Sequence, residues 1–166
     1  IATIRYLQEE FGVRFYIMTA TLPQKLKYLL ESNLNAPIFI PDTELLDKAR
    51  NQFVVKECGF EKMESDITSA IQEGKKALLV LNTVDNAIKA YEKFKPLFKD
   101  NKERIVCYHS RFIQKHRAEK EKSIFHIEEQ DVSCLLVATQ VVEVSLDIDF
   151  DILFTENAPI DAIIQR

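Results

Sequence analysis

The sequence predicts an α/β protein with a mainly parallel sheet. Short apolar runs alternate with segments of helical periodicity, and the clearest run is Cys134 to Ala138. Such a run is typical of a strand buried on both faces of a parallel sheet, and helices between the strands provide right-handed crossovers. At 166 residues the chain has about the length of one domain and can bury a real core.

Composition narrows the class of protein further. The content of 46% hydrophobic and 29% charged residues is that of an ordinary globular protein, and the net charge of −4 gives no overall basic field. A protein that holds a few phosphates needs only local positive groups, however. No apolar run approaches the roughly 20 residues that span a bilayer, and no signal peptide is visible. We therefore expect a cytoplasmic protein with no membrane partner.

The sequence contains neither a metal-binding pattern nor a phosphate-binding loop. Its three cysteines are isolated and odd in number, which favours reduced, buried thiols. The pair Gly74-Lys75 resembles the end of a P-loop, but Ser69 stands where the first glycine belongs and Lys76 where Ser or Thr belongs. The pair also precedes an expected strand instead of following one. We therefore assign no metal ligands to this chain.

The elements are expected in a regular order. Apolar spacing predicts a helix over residues 1–12 that ends at Gly12, and Thr21 is a suitable N-cap for a second helix. A polar stretch over 41–52 is expected to connect two domains. The expected strands are Arg14–Thr19, Ile38–Ile40, Val54–Cys58, Ala77–Leu81, Ile105–Tyr108, Cys134–Ala138 and Ile152–Phe154. The other expected helices are Gln24–Leu34, Met63–Glu73, Asp85–Phe98 with Ala87, Ile88, Tyr91 and Phe94 inward, and Gln114–Phe125.

Polar residues follow several of these strands at their carboxyl ends, where α/β sheets bind ligands. They are Thr83, Ser110, Arg111 and Thr139. Backbone amides, hydroxyls and an arginine at strand ends can hold phosphates without reading base sequence. The residues alone leave open the alternative that Arg111 is a solvated loop charge and that the threonines cap helices.

Several stretches resemble the motifs of superfamily 2 helicases. The run ATQVVEVSLDID from Ala138 to Asp149 resembles motif V, and Gln165-Arg166 resembles the start of motif VI. Thr19-Ala20-Thr21 resembles motif III, and Asn82-Thr83-Val84 resembles motif IV. The whole run from Cys134 to Arg166 is similar to the CRISPR-associated helicase–nuclease of type I systems, which usually has Gln where this chain has Val144.

The resemblance implies a three-layer RecA-like fold and a division of the chain. Residues 1–42 would be the C-terminal piece of a first RecA-like domain with a linker. Residues 43–166 would be the second RecA-like domain, cut at motif VI. ATP and Mg²⁺ are the implied cofactors, with most of their ligands and the catalytic groups outside this sequence. The chain is therefore expected to be an inactive fragment of an ATP-dependent helicase.

Site residues carry over from the family's motifs. Asp147 is implied to bond the nucleotide ribose, and Ser145 stands where many helicases have Gly. Thr83, Ser110, Arg111 and Thr139 are implied contacts to the nucleic-acid backbone, and Thr19, Thr21, Gln165 and Arg166 would couple hydrolysis to movement. The implied partners are single-stranded DNA, with RNA as the alternative, and the CRISPR surveillance complex. A generic superfamily 2 helicase and a non-catalytic, flavodoxin-like binding module remain the alternatives.

Overall fold

The computed structural model describes residues 1–19, 22–35, 37–39, 52–130, 132–142 and 148–166. These residues form two compact units, Ile1–Val55 and Lys56–Arg166. The expected domain boundary between residues 42 and 43 lies outside the described ranges.

The first unit contains two helices, α1 (Ala2–Phe11) and α2 (Gln24–Leu34), as the sequence predicts. Gly12 ends α1 in the left-handed region at φ 62°, where a residue without Cβ is unstrained. The guanidinium of Arg5 in α1 donates from Nε and Nη2 to the Asn33 carbonyl of α2, at 3.2 and 2.9 Å. Two hydrogen bonds from one guanidinium to a single carbonyl oxygen therefore join the two helices.

The strands predicted in and just after this unit are wrong. The residues from Arg14 to Thr19 form no strand, and Tyr16 and Met18 are 83% and 79% exposed. Val54 and Val55, predicted in the next strand, are exposed and irregular. Ile38 and Phe39 are also irregular, Ile38 partly buried and Phe39 exposed, while Ile40 lies outside the described residues. A strand is held by hydrogen bonds to a neighbouring strand, and the described part of this unit contains no sheet.

The second unit is an α/β layer structure, which confirms the predicted fold class. Its described strands are all parallel and lie in the order β2-β3-β1-β4. The strands are β1 (Lys76–Val80), β2 (Ile105–Tyr108), β3 (Cys134–Ala138) and β4 (Ile152–Thr155). The α-helices are α3 (Glu64–Gln72), α4 (Val84–Phe94), α5 (Gln114–Glu129) and α6 (Ile160–Gln165). Short 3₁₀ turns cover Phe60–Met63, Lys95–Phe98 and Lys102–Arg104.

Both faces of the sheet are buried, so the described core has two halves. Leu79 of β1 packs with Phe94 of α4 on one face. Val80, the next residue along β1, packs with Ile124 of α5 on the other face. Strands covered on both faces are continuously apolar, which is why the sequence predicts them well.

One predicted packing detail of α4 is wrong. Ile88, expected to point inward, is 40% exposed, whereas Ala90 is completely buried. The buried stripe of α4 runs through Ala87, Ala90 and Phe94, with Tyr91 partly buried beside it. The small alanines allow this helix to lie close to the sheet.

Among the described ranges, no helix combines the length and apolar composition that a bilayer span requires.

Candidate functional site

Parallel strands end together, so the loops after β1, β2, β3 and β4 all leave the same edge of the sheet. In register, Val80 of β1 lies beside Ala138 of β3 and Thr155 of β4, and Tyr108 of β2 lies beside Ala138. The polar segments after these residues are therefore brought together. This edge is where α/β sheets bind ligands.

Glu156, which directly follows β4, is bonded to the loop after β1. Its Oε2 accepts a hydrogen bond from the backbone amide of Asn82 at 2.6 Å, and its Oε1 accepts one from Nδ2 of Asn86 at 3.1 Å. Nδ2 of Asn82 donates to the Asn157 carbonyl at 2.9 Å, and Nε2 of Gln140 donates to the Asn82 carbonyl at 3.3 Å. The loops after β1, β3 and β4 are thus one hydrogen-bonded unit.

Arg166 joins this unit from the end of α6. Its Nη1 donates to Oγ1 of Thr155 and, at 3.2 Å, to the carbonyl of Glu156. Its Nη2 donates to Oδ1 of Asn82 at 3.2 Å. The structure therefore places this predicted coupling residue against the ends of β1 and β4, whereas Gln165 beside it is exposed.

Arg111 lies in the loop after β2 and forms an ion pair with the first turn of α4. Its Nη1 is 2.7 Å from Oδ1 of Asp85, and the two side chains are 62% and 67% exposed. Ser110, the preceding residue, is also exposed. The Lys120 ammonium lies 4.9 Å from the ring centroid of Phe112 in the same loop. Two cations therefore lie on or beside this loop, in a chain whose net charge is −4.

His109 anchors the base of that loop. It is only 6% exposed, and its ring stacks on Phe112 with centroids 4.1 Å apart. Burial lowers the pKa of His109, and the nearby charge of Arg111 lowers that pKa further. Its Nδ1 is buried without a hydrogen-bond partner among the described residues. The imidazole is therefore neutral at pH 7 and acts as a packing group.

The two threonines expected at phosphates differ in their surroundings. Thr83 is the N-cap of α4, and its Oγ1 accepts the Asn86 amide at 3.2 Å, so it performs the capping role that the residues alone left open. Thr139 is only 4% exposed, and its backbone amide donates to the Tyr108 carbonyl at 3.2 Å. Thr83 therefore lies at the surface of this edge and Thr139 beneath it.

Some predicted site residues are not part of this described edge. Asp147, Ser145 and Thr21 lie outside the described residues. Thr19 belongs to the first unit and is exposed. In the described part of the chain, no group of three or more His, Cys, Asp or Glu side chains could hold a metal ion.

Sequence reasoning missed Glu156, Asn86 and Asp85. Glu156 follows a strand directly, as Thr139 does, so attention to polar residues at strand ends could have found it. Asp85 and Asn86 lie in the first turn of α4. Acidic and small polar residues are common near the N-terminus of a helix, so no signal in the sequence distinguishes these two.

Comparison with known proteins gives consistent results. A family model described as CRISPR-associated nuclease/helicase Cas3, C-terminal, matches residues 73–166. A Cas3 sequence of Methanocaldococcus jannaschii is 34% identical over all of this chain, which spans 24% of that relative. The CRISPR-associated endonuclease/helicase Cas3 of Escherichia coli is 38% identical over 59% of the chain, or 11% of that protein.

Solved structures agree with the sequence comparisons. The crystal structure of T. fusca Cas3-ATP superimposes with a TM-score of 0.56 at 28% identity, over 67% of this chain and 14% of that chain. The AMPPNP form of the same protein gives a TM-score of 0.55 at 28% identity, over 63% of this chain and 12% of that chain. The chain thus covers about a quarter or less of these relatives. It belongs to the Cas3 family of CRISPR-associated nuclease/helicases, within the part that the family's C-terminal model describes.

Proposed function

We propose that this chain is part of an ATP-dependent DNA helicase or translocase of CRISPR interference. In this proposal it binds the DNA backbone and completes an ATP site between two RecA-like domains. The observation that carries the proposal is the edge of the sheet, where Arg166 and the loops after β1, β3 and β4 are hydrogen-bonded into one unit. Membership of a nuclease/helicase family supports it.

The exposed loop after β2 supports the DNA-binding part of the proposal. Arg111 can present its guanidinium to a phosphate, and Ser110 can add a hydroxyl. Both groups would contact the DNA backbone and would not distinguish one base from another. A motor that moves along any DNA sequence requires such contacts. A phosphate would replace Asp85 as the partner of Arg111, since that ion pair is largely solvated. Thr83 would line the same path at the surface, and Thr139, which is buried beneath it, would support the path from below.

The ATP part of the proposal rests on the family and on Arg166. The solved relatives include crystal structures of T. fusca Cas3-ATP and T. fusca Cas3-AMPPNP. We propose that Asp147 accepts the ribose hydroxyls, that Ser145 allows close backbone approach, and that Gln165 and Arg166 respond to the nucleotide. Bound ATP with Mg²⁺ supplies the phosphoanhydride bond whose hydrolysis drives the cycle. We propose that most of the Mg²⁺ ligands lie outside this sequence, which contains no DExH or DExD run.

Movement would follow from different affinities in two states. A cleft that closes on ATP and opens after hydrolysis shifts the affinity for DNA only if the two states contact DNA differently. Thr19 and Thr21 in the first unit would sense that closure. If the full-length protein unwinds foreign DNA in CRISPR interference, it would act in the cytoplasm. The CRISPR surveillance complex would recruit it there.

The test is ATP hydrolysis by the full-length protein that contains this chain, with single-stranded DNA, with single-stranded RNA and with neither. We expect DNA to raise the rate. The 166-residue chain alone is the matched control, and it should hydrolyse no ATP because it carries no P-loop sequence. Stimulation by RNA alone would replace the DNA assignment, and hydrolysis by the isolated chain would contradict the division of roles.

A further inference from the structure

The backbone carbonyl and the side-chain carboxylate of Glu156 both accept hydrogen bonds. The carbonyl contacts Arg166, and the carboxylate of Glu156 contacts the loop after β1 and the first turn of α4. Its backbone carbonyl accepts Nη1 of Arg166 at 3.2 Å. Its carboxylate accepts the Asn82 amide at 2.6 Å and Nδ2 of Asn86 at 3.1 Å. Asn86 lies in the first turn of α4, next to Asp85, which holds Arg111 at 2.7 Å. Arg166 is therefore connected to Arg111 by polar contacts at Glu156 and Asp85 and by the adjacency of Asp85 and Asn86 on α4.

We propose that Glu156 is a positioning residue that links the nucleotide-responsive end of α6 to the loop that holds the DNA backbone. This inference rests on the function proposed above and names a residue that regulates the same site. Glu156 does not touch either ligand. It sets the position of the Asn82 loop and of the first turn of α4 relative to Arg166.

A carboxylate suits this position because both of its oxygens face hydrogen-bond donors. Glutamine has nearly the same shape but only one side-chain oxygen, and its amide nitrogen would face a second donor. Glu156→Gln therefore breaks one of the two hydrogen bonds. It also places the N–H groups of the new amide against the donor that has lost its acceptor. Loss of a hydrogen bond to a charged group is worth roughly tenfold in an equilibrium constant.

Asp151 provides a matched control at the opposite edge of the same strand pair. The backbone amide of Asp151 donates to the Lys76 carbonyl at 3.0 Å, and its Oδ2 accepts the Lys76 amide at 2.7 Å. Glu156 repeats this arrangement at the other end of β4, with its amide donating to the Val80 carbonyl at 3.0 Å. Asp151→Ala therefore removes one structural hydrogen bond to a backbone amide, at the other end of β4 from both candidate sites.

The experiment compares the full-length wild type, Glu156→Gln and Asp151→Ala. The readout is the ATPase rate with saturating single-stranded DNA divided by the rate without DNA, with the melting temperature measured alongside. We expect Glu156→Gln to lower this ratio by about fivefold to tenfold, the factor for one charged hydrogen bond, and Asp151→Ala to leave it within about twofold of wild type. Both variants should lower the melting temperature to a similar degree.

Two results would overturn the inference. One is an unchanged ratio in Glu156→Gln, and the other is an equal fall of the ratio in both variants, which would make Glu156 a structural residue only. A wild-type protein that DNA does not stimulate would instead contradict the proposed function itself. That failure appears in the wild type alone, so it is distinguishable from failure of the role of Glu156.

Discussion

Asp85 orients the candidate DNA-binding residue Arg111 through a weak ion pair. Their ion pair joins two side chains that are each more than 60% exposed. Such pairs contribute at most about 1 kcal/mol, whereas a guanidinium can bind a phosphate through two parallel hydrogen bonds. Asp85 therefore orients Arg111 without competing strongly for it.

We predict opposite effects from the two members of this pair. Arg111→Ala should weaken binding of single-stranded DNA about tenfold and reduce the salt dependence by about one phosphate contact. Asp85→Asn should strengthen binding about twofold because it removes a competing carboxylate. Fluorescence anisotropy at several salt concentrations measures both.

Arg104→Ala is the matched control for Arg111→Ala, since Arg104 precedes β2 at the other edge of the sheet. It should leave the DNA affinity unchanged. Equal losses in the two arginine variants would show a general charge effect and no site.

His109 gives a prediction about pH. It faces the ring of Phe112 and the charges of Arg111 and Lys120, and its pKa lies below the ordinary 6.5. Below pH 6.5 the unfolded chain therefore binds a proton at His109 more readily than the folded chain. The contribution of neutral His109 to the free energy of unfolding is fully present above pH 6.5. It is lost as the pH falls towards the pKa of His109 in the folded protein.

We expect the melting temperature of the wild type to fall more between pH 7.5 and pH 5.5 than that of His109→Gln, which cannot titrate. His116→Gln, at an exposed position on α5, is the control and should behave as the wild type does. Identical pH dependence in wild type and His109→Gln would contradict the assignment.

At the scale of elements, pairing within the parallel sheet separates the predicted strands that form from those that do not. β2 and β3 have the predicted bounds, β1 is shifted by one residue towards the N-terminus, and β4 is one residue longer than predicted. The equally apolar segments Arg14–Thr19 and Val54–Cys58 form no strands. Apolar composition is a property of a segment, but a strand requires a neighbour, and no local pattern states whether one is present.

The buried strands also determine the reactivity of the cysteines. Burial raises the pKa of both Cys107 in β2 and Cys134 in β3 to about 11, so almost no thiolate is present at pH 7.5. Cys58 is only partly buried. We expect iodoacetamide to modify Cys58 in the native protein and the other two only after unfolding, as measured by peptide mapping. Rapid modification of Cys107 or Cys134 in the native protein would contradict the burial of these strands.

At the scale of the whole molecule, the sequence predicts which segments meet but not how they are bonded. The positions of Arg111 and Arg166 at one sheet edge follow from strand ends and from the helicase motifs. The role of Glu156 does not, because it depends on two loops that are more than 70 residues apart in sequence. The net charge of −4 likewise does not reveal that Arg111 and Lys120 lie on or beside the same loop, because folding determines where each charge lies.

The central claim is that one chain binds DNA and completes an ATP site, so its two functions should be separable by mutation. The most direct measurement is the DNA-stimulated ATPase of the full-length protein, comparing wild type with Asp147→Ala and Arg111→Ala over a range of DNA concentrations. We predict that Asp147→Ala abolishes turnover at every DNA concentration. Arg111→Ala should mainly raise the DNA concentration at half-maximal rate, by about tenfold. Full turnover in Asp147→Ala, or no hydrolysis by the wild type with single-stranded DNA, would contradict the account.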